Sequence, residues 1–245
     1  MEKIGKKFIE KTKYKNLEDK SDQQKGKKMP RLQLDYDDNL KVVELPKYSD
    51  ELIREEKIDK LINQRTSVRK YKNETISLKE LSYLLWNTQG VKEKGKKWSF
   101  RTVPSAGARH AFETYLLVNK VEGLKKGLYR YLPFDNKIIK IHDKEEFSEN
   151  FKKACFGQKM ITDSAVSFIW TAYVPRMTWR YQQRGYRYLF LDAGHVCQNL
   201  YLSAESIDCG VCAIGAYDDD KVNRLLKVDG EKEFVIYIAT LGRKR

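Results

Sequence analysis

Between residues 186 and 207, apolar side chains recur every third or fourth position. Leu189, Ala193, Val196, Leu200, Ala204 and Ile207 share one helical face, which predicts a long amphipathic helix. A second helix is predicted from Ser77-Leu78-Lys79-Glu80, where the serine and glutamate have capping-box spacing. Leu81, Leu84 and Leu85 carry its apolar stripe and Gly90 stops it. Residues 50–63 predict another helix on Leu52, Ile53, Ile58, Leu61 and Ile62. Shorter helices are expected after Asp143-Lys144-Glu145-Glu146 and over 218–226, where acidic residues lie at the positive end of the helix dipole. Residues 114–118, 127–132, 165–174, 211–217 and 234–240 are β-rich apolar runs and predict strands; 92–97 reads as a basic loop. Helices and strands intermingle without a βαβ rhythm, so the expected class is α+β. There is no G-x-G-x-x-G after a strand and no phosphate-binding G-x-x-x-x-G-K-S/T loop.

Residues 1–48 break this pattern. They are polar, have few periodic apolar positions, and hold ten lysines in the first 28 residues. Such a segment buries little by itself. It is expected to lie as an arm across a body formed by residues 49–245. The whole chain is 41% hydrophobic and 12% aromatic, enough for a real core. It has no apolar run of membrane-spanning length, and the basic residues 1–7 lead into no apolar leader, so a soluble cytoplasmic protein is expected.

The net charge of +14 raises the question of nucleic acid. Lysine runs without interleaved aromatics are usually solvated faces, and no zinc finger, helix-turn-helix or RNP signature is present. A basic surface suits small anionic ligands equally well. Cys209-Gly-Val-Cys212 has C-x-x-C spacing, but it lies in an apolar, strand-like run without a second ligand pair. It is read as core rather than as a metal or redox site.

Three short segments carry candidate chemistry. Arg65-Thr66-Ser67-Val68-Arg69 puts two guanidinium groups and two hydroxyls within five residues. In extended backbone Arg65, Ser67 and Arg69 face one side, which suits a phosphate and a polyhydroxyl chain. A plain surface accommodates the same residues. Pro104-Ser105-Ala106-Gly107 is a loop of small residues that lets another group approach the backbone, or a simple tight turn. Ile214-Gly215 lies in a predicted strand, where the glycine marks a bulge or a ligand against the backbone.

In combination and order, these segments resemble the FMN-dependent nitroreductase superfamily over residues 63–242. Further stretches, Arg101–His110, Gly127–Tyr131 and Gly185–Leu200, look like its SagB-type branch, which includes dehydrogenases that oxidise peptide azolines to azoles. The resemblance implies a central, mostly antiparallel sheet surrounded by helices in an intertwined homodimer. It also implies FMN as cofactor, NAD(P)H as electron donor, and a small-molecule or peptide substrate. By the same resemblance, Arg65, Thr66 and Ser67 hold the FMN phosphate and ribityl chain. Arg69 places positive charge near the flavin ring, where the reduced cofactor carries negative charge. Pro104, Ser105, Ala106 and Gly107 reach the flavin from the partner subunit, the backbone of Ile214 and Gly215 meets flavin N5, and Arg243 and Lys244 approach the phosphate. The azoline-oxidising members carry a Lys-Tyr pair where this chain has Arg180-Tyr181. An arginine is a poor general base, which leaves Tyr181 as the remaining candidate and favours simple hydride or electron transfer. His110 and His195 are further possible proton donors, His195 being read as packing or interface; His142 is expected to be exposed.

Overall fold

The computed structural model describes residues 3–48, 51 and 56–245. In chain order its elements are α1 (Ile4–Lys11), β1 (Val42–Glu44), α2 (Ile58–Gln64), α3 (Leu78–Gln89), β2 (Val91–Lys94), β3 (Ser99–Arg101), β4 (Phe112–Val118), β5 (Gly127–Leu132), β6 (Lys137–His142), α4 (Phe147–Ala154), α5 (Met160–Asp163), β7 (Val166–Tyr173), α6 (Val174–Tyr181), α7 (Gly185–Glu205), β8 (Cys209–Ile214), α8 (Asp219–Leu226) and β9 (Glu233–Arg243). Seven strands form one sheet in the order β1-β6-β5-β4-β7-β9-β8, antiparallel at every step. Helices lie on both faces, an α+β architecture as the sequence predicts.

The sheet is covered twice because its central strands are apolar on both sides. Phe112, Leu116 and Val118 of β4 and Phe168, Trp170 and Ala172 of β7 point into one core with α3, α6 and α7. The alternate residues Tyr115, Leu117 and Ile169 point into a second core with α4, α5 and α8. On α7, Leu189, Val196 and Leu200 are fully buried, and each such side chain stabilises the fold by about 1.5–3 kcal/mol. The capping box forms as read: Ser77 accepts from Glu80 N–H, and Glu80 accepts from Ser77 N–H.

Several boundaries differ. The 92–97 loop is part of a hairpin, β2–β3, whose Lys92, Glu93 and Lys94 show no apolar alternation; Trp98 and Phe100 pack together on it at 4.8 Å. The apolar run at 165–174 yields to α6 at Val174, with Pro175 in the first turn, where its missing N–H costs nothing. The last strand of the 211–217 run ends at Ile214, so Gly215 lies beyond the ladder. Of the helix expected over 50–63, residues 50 and 52–55 lie outside the described residues, as does the start of the body at 49. The described part, α2, buries Leu61 and leaves Ile58 and Ile62 exposed. Cys209 and Cys212 are buried free thiols on β8, three residues apart and so on opposite faces of the strand. Among the described residues no helix is long and apolar enough to cross a membrane.

Residues 3–40 run along α6 and α7 before the chain joins the sheet edge as β1, paired with β6.

Candidate active site

The Arg65–Arg69 segment leaves α2 and runs beside β8. Val68 N–H donates to Val211 O at 2.8 Å, and Ser67 pairs with Val211 as a parallel bridge. Gly210 makes this approach possible: a Cβ there would lie 2.6 Å from that of Val68. Tyr201, on α7, organises what faces it. Its hydroxyl lies 3.0 Å from Ser67 Oγ and accepts from Ala213 N–H at 2.9 Å, and its ring lies 5.3 Å from the Arg65 guanidinium. Arg65 and Ser67 therefore share a side. Arg69 is exposed, and its charge bears on Cys212 and Tyr71. Neither Arg65 nor Arg69 has a carboxylate partner among the described residues.

Gly215, just past the end of β8, is exposed, and its φ lies outside the left-handed region. Among the described residues, its two chain neighbours aside, nothing comes within 4 Å of where its Cβ would be. Neither backbone conformation nor an internal neighbour demands glycine there. The bare backbone is open for a flat group to lie against it, beside two guanidinium groups free to meet an anion. This donor set fits a flavin mononucleotide.

The Pro104–Gly107 loop is built on the other half of α7. Asp192, 3% exposed, accepts from Ser105 Oγ at 2.6 Å and from Ala106 N–H at 3.2 Å. Burial raises the Asp192 pKa, and these two hydrogen bonds oppose the rise. Ser105 Oγ also accepts from His110 N–H at 2.9 Å. Gly107, Ala108 and His110 all have left-handed φ, at 55°, 51° and 45°, a strained backbone for the two non-glycine residues. A Cβ on Gly107 would lie 2.4 Å from Tyr181 Oη and 3.1 Å from Arg180 Nε, so the glycine lets both side chains close over the loop. Tyr181 in turn packs edge-on against Tyr188 at 4.8 Å.

These two groups do not meet within one chain. Their anchors on α7, Asp192 and Tyr201, are nine residues apart, which is about 14 Å along the axis and half a turn around it. Arg243 and Lys244 are also drawn elsewhere. Arg243 pairs with Glu80 at 2.7 Å and donates to Ile207 O at 3.0 Å, and Lys244 pairs with Glu205. Arg243 lies opposite Cys209 in the β8–β9 ladder, whereas Ile214 lies at its other end.

The histidines divide. His195 is exposed, and His142 is half-buried against Phe147 rather than exposed as expected. His110 is 5% exposed; burial, and then the charge of Arg101, push its pKa down to about 3. It stays neutral and is no proton donor near neutral pH. A folded pKa below the usual 6.5 contributes stability that is present above pH 6.5 and is lost as pH falls towards 3, on the order of 5 kcal/mol. His110→Asn, which tolerates left-handed φ, is expected to flatten the fall of unfolding free energy across that window. An unchanged slope in urea titrations at stepped pH would show that His110 is not the titrating group.

Two organising residues escaped the sequence reading. Asp192 carried a signal: an acid between Leu189 and Ala193, on the apolar face of α7. Tyr201 carried none, since a tyrosine at a helical core position looks like packing.

A model of the Nitroreductase family matches residues 62–243. A Methanocaldococcus jannaschii protein provisionally named a nitroreductase is 36% identical over 192 residues, 78% of this chain and 93% of that protein. A trifolitoxin-processing protein of Rhizobium leguminosarum bv. trifolii is 27% identical over 136 residues, 53% of this chain and 36% of that protein. Among solved structures, a provisionally assigned nitroreductase from Anabaena variabilis superposes with a TM-score of 0.65 at 33% identity, over 77% of this chain. The aligned region is only 38% of that longer chain.

Proposed function

The chain belongs to the nitroreductase family, and from that premise we propose that it is an FMN-dependent oxidoreductase. In this reading it moves electrons from NAD(P)H to an acceptor such as a quinone or nitro compound and holds each FMN between two copies of itself. The observation that carries the reading is the divided site. Arg65, Ser67, Arg69 and the open backbone at Gly215 lie at one end of α7, and the Pro104–Gly107 loop lies at the other end on the opposite face. A two-fold partner running antiparallel along α7 would bring its loop to the first group. Phe190 and Leu191, 57% and 60% exposed on α7, and Gly194, with open space above it, support such a contact.

Arg65 would clamp the phosphate and Ser67 and Thr66 the ribityl hydroxyls, while Arg69 would place positive charge near the ring and the Ile214–Gly215 backbone would support it. Arg243 and Lys244, which the resemblance also places at the phosphate, already pair with Glu80 and Glu205. When bound, FMN supplies the hydride-accepting ring, so few side chains need to act as acids or bases. Denaturing the purified protein and chromatographing the released flavin tests the reading. FMN is expected; FAD, or no flavin after reconstitution, would contradict it.

A second reading, oxidation of peptide azolines to azoles, is supported by the likeness to the trifolitoxin-processing protein and by Tyr181 Oη lying against Gly107. A guanidinium is a poor general base, so that chemistry would fall to Tyr181. We expect Tyr181→Phe to keep NAD(P)H-driven quinone reduction within about tenfold of wild type in stopped-flow measurements, because hydride transfer needs no such base. A loss beyond about a hundredfold, with flavin content unchanged, would favour the azoline reading.

A further inference from the structure

Residues 9–35 lie along α6 and the start of α7 in the opposite chain direction, held mainly through their main chain. Arg187 donates to Ile9 O and Arg184 to Thr12 O. Gln182 grips one peptide unit from both sides, accepting Glu18 N–H at 2.8 Å and donating to Glu18 O at 2.9 Å. Trp179 accepts Gln23 N–H at its carbonyl and donates Nε1–H to Lys27 O at 3.0 Å. Arg176 donates to Arg31 O at 2.6 Å, Glu113 accepts Leu34 N–H at 3.1 Å, and Arg130 donates to Leu34 O and Asp35 O. Every polypeptide has these amide groups, so the contacts read main chain and little of its sequence, although residues 9–35 themselves include the end of α1 and turns rather than one extended strand. Among residues 3–40 only Thr12 and Ser21 are buried.

The charge on this segment is wrong for the face it covers. Residues 9–35 hold eight Lys and Arg against five Asp and Glu. They lie against a face that presents Arg101, Arg130, Arg176, Arg184 and Arg187, offset in part by Glu113 and Glu233. Acidic residues of the segment pair with its own bases: Glu10 with Lys13, Asp22 with Lys27, Glu18 with Lys25, Asp35 with Arg31. Beneath it, Arg101 Nε, Arg130 Nε and Arg176 Nη1 are buried and have no acceptor among the described residues. A surface built to hold peptide backbone and rich in unmatched guanidinium donors is best satisfied by a chain that brings carboxylates.

We propose that this face binds an acidic polypeptide segment of another protein through its main chain, and that residues 9–35 occupy it as a displaceable stand-in. The inference does not depend on the flavin reading. Where both hold, the bound segment passes Arg109, which touches Met29 Sδ and the carbonyl of Gly107, and so runs beside the loop assigned to the flavin.

The test uses the full chain and a fluorescein-labelled peptide as long as residues 9–35, built from Glu, Ser and Gly, with a Lys-for-Glu counterpart. The acidic peptide is expected to bind and to speed hydrogen exchange of the Glu18, Gln23 and Leu34 amides at least about tenfold, and the lysine peptide to do neither. Gln182→Ala should weaken peptide binding about tenfold. Leu34→Pro, which removes the N–H that Glu113 receives, should strengthen it, as should Glu18→Pro if the first variant folds poorly. Flavin content, followed in parallel, reports separately on the cofactor site. Equal behaviour of the two peptides, no exchange response, or displacement of the segment by a single-stranded oligonucleotide in place of the acidic peptide would overturn the proposal.

Discussion

Arg65→Ala is expected to weaken FMN binding about a hundredfold while leaving the apoprotein folded. A guanidinium fork on a phosphate makes two charge-assisted hydrogen bonds, and losing both is worth about 3 kcal/mol, or two orders of magnitude in Kd. Within the chain itself Arg65 is half-buried and its described contact is with the Tyr201 ring, worth about 0.5–1 kcal/mol at such a site. The two effects therefore separate. Flavin retained on ultrafiltration should collapse, and the melting temperature of the apoprotein should barely move. Wild-type retention by the variant would remove Arg65 from the phosphate. A large fall in apoprotein stability would make it a structural residue.

Leu191→Glu is expected to yield a monomer that holds no flavin. Leu191 and Phe190 are large apolar residues left bare on the longest helix, next to a glycine with nothing above it. In a two-fold contact every residue counts twice, so removing two buried leucines and inserting two charges would cost about 3–6 kcal/mol, and the dimer Kd should rise at least a hundredfold. Light scattering reads the assembly and absorbance near 450 nm reads the flavin. A variant that becomes monomeric yet keeps its flavin would show that one chain suffices for the site.

The parts legible in the sequence are those set by local chemistry. The stripe from Leu189 to Ile207 anticipated α7, and Ser77 with Glu80 anticipated the start of α3. The apolar run at 165–174 anticipated β7. The parts that were not legible depend on partners far along the chain. β1 exists because the edge of β6 is available to Val42–Glu44, and no periodicity in those residues announces it. The β2–β3 hairpin hides in a run of lysines. The same holds at the site. Arg65, Ser67 and the small-residue loop stand out by composition, whereas Arg243 and Lys244 come near the phosphate only through the family resemblance. Only the β8–β9 register and the placement of α3 bring Glu80 and Glu205 to them. Glu80 serves both the capping box and this ion pair, and the capping box alone was visible in the sequence.

The claim that each flavin site is shared between two chains is tested most directly by complementation. Gly107→Val puts a side chain where Tyr181 Oη already lies, on a left-handed backbone, and should spoil the loop half of the site; Arg65→Ala spoils the other half. Each variant homodimer should lose its flavin. Co-expressed in equal amounts, the two chains form heterodimers in which one site receives both intact halves, and about a quarter of the wild-type flavin should return. If every site lay within a single chain, each subunit of the mixture would carry its own defect, and a flavin content no higher than that of the separate variants would contradict the shared site.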